Sequence, residues 1–296
     1  MAENFTGAVS KAVLDNPFIQ CARRDFEAAK KLYTLEPGSQ HVDTCNTLFH
    51  LEQSVEKLNK FLFITLLSPM GKITNDEEFD PDKLVKKLKG RISHNQAKLF
   101  FELNKLAEIG LHNMGVTNYS NLSSSMLSEF GINISTDIST DPYEKVADNL
   151  NSIAYLSVKK LKMHLDNADS MATKLSSKKT SGAINTVSAI ESSVNPENAQ
   201  YLQKDSAEKA ARFGTDSQQL LDDSVTILWP LLVEAFPKLV TYGIILCPHE
   251  DSTRYPGSII PPAQYDNQEV PISNRYIIRR IISGLEGIFN WIDKLS

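Results

Sequence analysis

Residues 225–247 read VTILWPLLVEAFPKLVTYGIILC, a run in which only Glu234 and Lys238 are charged. The run is long enough to cross a bilayer. However, two charges and the prolines Pro230 and Pro237 fall within it, and charge near a bilayer centre is costly. The segment therefore predicts a proline-kinked, nearly all-apolar helix without a transmembrane span. A helix that is apolar on every side must be surrounded, so the rest of the chain has to supply other elements with wide apolar faces.

The sequence supplies them as helices. Four Asx-Pro pairs, Asn16-Pro17, Asp80-Pro81, Asp141-Pro142 and Asn195-Pro196, each fit an N-cap followed by proline at the first helical position. A helical pattern follows each pair. The first runs from Pro17 to about Leu35. A second, which Ser39 can cap, carries Leu48, Leu51, Val55, Leu58, Leu62 and Leu66 and ends at SPMGKITNDEEFD. A third spans Pro81 to Gly110. From Pro142 one long helix carries Val146, Leu150, Ile153, Leu156, Leu161, Leu165, Ala168 and Leu175, and shorter ones cover 182–194 and 196–213. The last, 274–295, places Ile277, Ile278, Ile281, Ile282, Leu285, Ile288, Phe289 and Ile292 on one face. Strand patterning is nearly absent, with YGIILC its best candidate. The expected fold is all-α: a single domain over 1–296, a bundle of about eight or nine helices with a long Pro-rich strap before the C-terminal helix. The Ser/Asn-rich segment 111–140 is its hinge, if the chain has one.

Composition narrows the function classes. With 41 % hydrophobic residues the chain can build a core, and a net charge of −5 argues against a wholesale polyanion binder while leaving room for a local basic patch. Cys21, Cys45 and Cys247 are few and scattered, which fits thiols in a reducing compartment. The first residues, MAENFTGAVSKAVLDNPF, lack the apolar core of a signal peptide. Together these predict a cytoplasmic protein.

Linear catalytic and cofactor motifs are missing from the sequence. It has no P-loop, no dinucleotide fingerprint, no His-Glu-x-x-His and no Cys-x-x-Cys. Asp222 and Asp223 lack the third aspartate of a magnesium-binding helix, because Thr226 stands in its place. In HVDTCNTLFH, His41 and Cys45 share a helical face but His50 does not, and zinc needs three or four converging ligands. No metal, cofactor or catalytic residue is assigned, and the reading leans against an enzyme.

Two stretches remain. CPHEDSTRYPGSIIPPAQY, 247–265, crowds Cys247, His249, Glu250 and Asp251 together. It reads best as the strap, with extended chain around Pro261-Pro262. Its Tyr255, Ile259, Ile260 and Tyr265 give the strap something to bury, or a partner something to dock on. KLVKKLKGRISHNQAK, 83–98, carries six Lys or Arg and no acid. At 100° per residue, Lys83, Lys87, Arg91, His94 and Lys98 fall within about 80° of arc, away from Val85, Leu88, Ile92, Leu99 and Leu103. That stripe is either a solvated face or an anion-binding one. The expected function is a non-enzymatic interaction or scaffold protein that binds another macromolecule, most readily a protein. The alternatives are a nucleic-acid-binding protein of nucleocapsid type that uses the 83–98 stripe, and a helical protein held at an anionic lipid surface by the same lysines. The clusters Lys159/Lys160/Lys162 and Lys174/Lys178/Lys179 are candidates to extend that surface.

Overall fold

The structure, a computed structural model, describes residues 16–34, 43–73, 99, 128, 130, 152–177, 234–254 and 260–294. Every regular element among the described residues is helical and none is a strand. In chain order these are α1 (Pro17–Tyr33), α2 (Thr44–Ile73), α3 (Val158–Ser177), α4 (Phe236–Leu246), α5 (Glu250–Arg254), α6 (Pro262–Asp266) and α7 (Arg275–Asp293). Two 3₁₀ turns, Cys247–His249 and Pro271–Ser273, join α4 to α5 and α6 to α7.

Helix ends follow side-chain chemistry. Asn16 starts α1 by accepting the Phe18 amide at 2.9 Å, with Pro17 at N1. The helix closes at Thr34, whose amide and hydroxyl both return to the Lys30 carbonyl, so it ends just short of Leu35. The start of α2 belongs to Asp43, which accepts the Asn46 amide at 3.1 Å; Ser39 lies outside the described residues. The helix then runs past Pro69 to Ile73, beyond the break its sequence predicts there. The long helix expected from Pro142 is interrupted instead. The chain turns at Ala154–Tyr155, and a new helix, α3, starts after Ser157, whose hydroxyl lies 3.4 Å from the Lys160 amide. Pro237 falls in the first turn of α4, where it needs no amide partner, and Pro230 lies outside the described residues. YGIILC is helical apart from its cysteine, which begins the 3₁₀ turn.

The apolar faces meet in one core. Ten of the eleven residues of α4 are buried, as an all-apolar helix requires; the exception, Lys238, reaches Asp169 on α3 at 3.3 Å. α4 lies against α2 and α3, and α1 packs along α2. The buried stripe of α7 comprises Ile277, Ile278, Ile281, Leu285, Ile288, Phe289 and Ile292, with Ile282 partly buried. Gly284 of α7 leaves room for the Tyr242 side chain of α4: a Cβ there would sit 1.8 Å from the Tyr242 hydroxyl. Phe26 of α1 stacks on Phe289 of α7 with centroids 5.1 Å apart. The two helices run antiparallel, and the stack is flanked by Arg23–Asp293 and Lys30–Glu286 ion pairs. No described helix is long and apolar enough to cross a membrane.

Candidate functional site

The strap is more helical than its prolines suggest, because Pro261 is extended and Pro262 takes the first position of α6. Its polar side chains turn inward. His249 is 3 % exposed and its Nδ1 lies 2.9 Å from the Tyr265 hydroxyl; Tyr265 is fully buried and also hydrogen-bonded to Ser252. Burial pulls the His249 imidazole down to about 4, so it is neutral at physiological pH. Ile260 is buried as well, while Tyr255 and Ile259 lie outside the described residues. On α6, Asp266 accepts the amides of Thr44 and Cys45 at 2.9 and 3.1 Å, so the strap supplies a cap for the first turn of α2.

Beside this anchor lies a set of buried charges. Glu52 and Glu56, one turn apart on α2, are each 2 % exposed. Arg254 of α5 places Nη2 3.7 Å from an oxygen of each and Nη1 2.8 Å from Glu250. Gln53 donates to both α2 carboxyls, at 2.7 and 3.2 Å, and Lys60 pairs with Glu56. Burial, reinforced by the Glu250 charge, pushes the Glu52 carboxyl up to about 8, which keeps it protonated at neutral pH.

Chemically, this region holds the strap down. Its imidazole is neutral, buried and already hydrogen-bonded. Burial pushes the Cys45 thiol up to about 11, too high for a nucleophile at neutral pH. Cys45 and His50 diverge, Cys45 toward the strap and His50 toward Asp25 of α1 at 3.2 Å, and His41 lies outside the described residues. Among the described residues no group of three or more His, Cys, Asp or Glu is arranged to hold a metal ion.

A different surface forms where α3 and α7 begin. The two helices run in parallel with their N-terminal turns adjacent: Lys162 Nζ sits 5.3 Å from the Tyr276 ring centroid, and Arg280 reaches Asp166 at 2.8 Å and Asp169 at 2.6 Å. Arg280 also donates to the Tyr276 hydroxyl at 2.9 Å, which orients that ring. Neither first turn contains an acid. Lys159, Lys160 and Lys162 open α3, Arg275 and Arg279 open α7, and all five are exposed. Tyr155, Met163 and Tyr276, the exposed large apolar residues among those described, lie on or beside these turns at 67, 47 and 42 % exposure. The sequence reading singled out the three lysines and missed the tyrosines. The signal was legible: SVKKLK and NRYIIRR each put a capping residue before cations, where acids are usual.

The stripe Lys83, Lys87, Arg91, His94 and Lys98 lies outside the described residues, as do Lys178 and Lys179. Compared with known proteins, the chain matches no family model, no curated protein and no solved structure.

Proposed function

We propose that the protein is a non-enzymatic helical scaffold, a single-domain bundle of about eight or nine helices, that binds another macromolecule. One observation carries this reading: the exposure of Tyr155, Met163 and Tyr276 at the end where α3 and α7 begin. Large side chains that combine an apolar body with a polar tip are typical anchors of macromolecular interfaces. The polar cluster at the strap supports the same reading, since its groups hold chain segments together. The few, widely spaced cysteines Cys21, Cys45 and Cys247 fit a reducing, cytoplasmic setting. Within this reading the partner is a protein, a nucleic acid bound with help from the 83–98 stripe, or an anionic lipid surface.

The test is affinity capture with the native chain and with a Tyr155→Ser/Tyr276→Ser variant, both checked for an unchanged melting temperature. The expected result is a stoichiometric macromolecule retained by the native chain and lost by the variant. Equal retention by both, or retention of nothing by either, overturns the assignment of this face.

A further inference from the structure

We infer that the end formed by the first turns of α3 and α7 binds single-stranded nucleic acid, with Lys159, Lys160, Lys162 and Arg279 on its phosphates and the rings of Tyr155 and Tyr276 against its bases. The inference rests on the reading that this face binds a macromolecule, and it names the partner.

An N-terminal turn carries partial positive charge from its unpaired amides and favours acids; cations there are unfavourable. Two such ends lie side by side here, and both carry cations where acids would stabilise them. The local counter-ions are already engaged, Asp166 and Asp169 by Arg280, with Asp169 also meeting Lys238. Among the described residues, the side chains of Lys159, Lys160, Lys162, Arg275 and Arg279 make no ion pair. Glu269, exposed on the strap, is the acid nearest in sequence to the start of α7. The chain as a whole carries −5, so this positive end is a local feature and not a consequence of overall charge. An arrangement that works against its own helices becomes favourable once an anion lies across both of them.

The neighbouring side chains select which anion. Lysine is depleted in protein–protein interfaces, whereas nucleic-acid interfaces are strongly positive. A helix that lies in a lipid interface needs an apolar face. The outward side of α3 shows Met163 among Lys159, Lys162, Asp166, Asn167 and Ser170, too little apolar surface for insertion. Exposed tyrosines add nothing to a duplex whose bases are stacked on one another. Unpaired bases stack on such rings regardless of sequence, in combination with flanking cations. The Tyr276 ring already has cations beside it, Lys162 Nζ at 5.3 Å and the Arg280 guanidinium at 5.8 Å from its centroid, so a base that stacks there displaces Lys162 toward the phosphates.

The experiment is fluorescence anisotropy of the full chain with labelled oligo(dT) and oligo(rU) at several salt concentrations. A hairpin duplex and phosphatidylserine vesicles serve as comparison ligands. The native chain should bind both single strands more tightly than the duplex, and binding should weaken with salt. Lys159→Gln/Lys160→Gln/Lys162→Gln should reduce the slope of log affinity against log salt by about 2, at about 0.7 per phosphate contact on single strands. Tyr276→Ala should weaken binding about tenfold, while Tyr276→Phe, which keeps the ring but loses the hydroxyl that Arg280 orients, should weaken it less. All variants should melt as the native chain does. No binding to single strands at low salt overturns the inference, as does binding that the lysine variant leaves unchanged, which would place it elsewhere on the chain. Vesicle binding that the lysine variant abolishes, without oligonucleotide binding, overturns it in favour of lipid. If the oligonucleotides fail but the Tyr155→Ser/Tyr276→Ser variant loses a captured protein, the nucleic-acid assignment falls and the broader reading stands. If capture fails too, both fall.

Discussion

At the strap, Glu52 and Glu56 are buried, Gln53 and Lys60 bond to them, and the partly buried Arg254 pairs with both and with Glu250. At the start of α3 and α7, five cations stand in solvent without ion pairs, beside exposed tyrosines. The first arrangement fixes one chain segment to another. A buried carboxylate without its guanidinium is expensive, so the strap has little freedom to leave α2. The second pairs none of these five cations with an acid among the described residues, and only Lys162 has a partner there, the Tyr276 ring. The contrast separates charge that serves the fold from charge left over for a partner, and substitutions at the two places should behave oppositely.

The largest expected effect is at Arg254. Replacing it with methionine leaves Glu56 and Glu250, with the protonated Glu52 beside them, without the guanidinium they share and should lower the unfolding free energy in urea by about 3–5 kcal/mol. Next comes the contact between α4 and α7. Gly284→Ala drives a methyl into the Tyr242 ring and should cost about 1–3 kcal/mol, whereas a methyl at Gly287 meets nothing within 4 Å. Gly287→Ala should therefore stabilise by roughly 0.5–1 kcal/mol, the usual gain of alanine over glycine in a helix. Similar melting temperatures for the two variants would mean that the Tyr242 side chain does not fill the space at Gly284.

The pH dependence of stability tests the strap directly. The Glu52 carboxyl titrates near 8 in the folded chain and near 4.5 when unfolded, so between these values the folded state holds the extra proton. Stability should therefore fall as pH rises through that window. His249 acts oppositely. Its folded value of about 4, against an ordinary 6.5, makes the unfolded chain hold the extra proton between them, so stability rises with pH there and levels off above 6.5. The two effects oppose each other in the lower range and leave Glu52 alone above 6.5. From there to pH 8 the native chain should lose roughly 1–2 kcal/mol, and Glu52→Gln should flatten that part of the curve. A native curve already flat above pH 6.5 would show that Glu52 is ionised throughout.

The smallest effect is expected at the basic end. Lys159→Gln, Lys160→Gln and Lys162→Gln should each change stability by no more than about 0.5 kcal/mol, because no ion pair is lost. Removing cations from an N-terminal turn should make the direction of change favourable. A thermal scan in which the triple variant melts well below the native chain would show that these lysines serve the fold, and the contrast between the two regions would disappear.

Among the described residues, the helical class and the buried faces of α2 and α7 were readable because periodicity is a local property of the sequence. The Ile-rich stripe of α7 and the Leu stripe of α2 follow from spacing alone, and Asn16 caps α1 as its pairing with Pro17 predicts. What escaped depended on which partner a residue meets. Ser157 ends one helical pattern and starts another without a break in apolar spacing. Pro69 is carried within a helix that local sequence would end there. Glu52 and Glu56 look like surface acids until Arg254, some two hundred residues later, is brought to them. The inward direction of His249 was hidden in the same way, since nothing local indicates that Tyr265 will be its partner.

The pairing of α1 with α7 has a consequence for how the chain acquires its shape during synthesis. Arg23 and Asp293, joined in the structure, are separated by 270 positions. Phe26 has no ring to stack on until Phe289 has been made. A nascent chain leaving the ribosome can pair α1 with α2 early, but one edge of that pair stays open while the intervening segments emerge. Contacts between such distant segments slow folding and prolong the exposure of apolar surface. Translation at about 5–20 residues per second leaves this edge uncovered for tens of seconds. The protein should therefore depend on holding chaperones more than its largely local helices suggest, and shortening the chain before α7 should yield insoluble product rather than a smaller folded one.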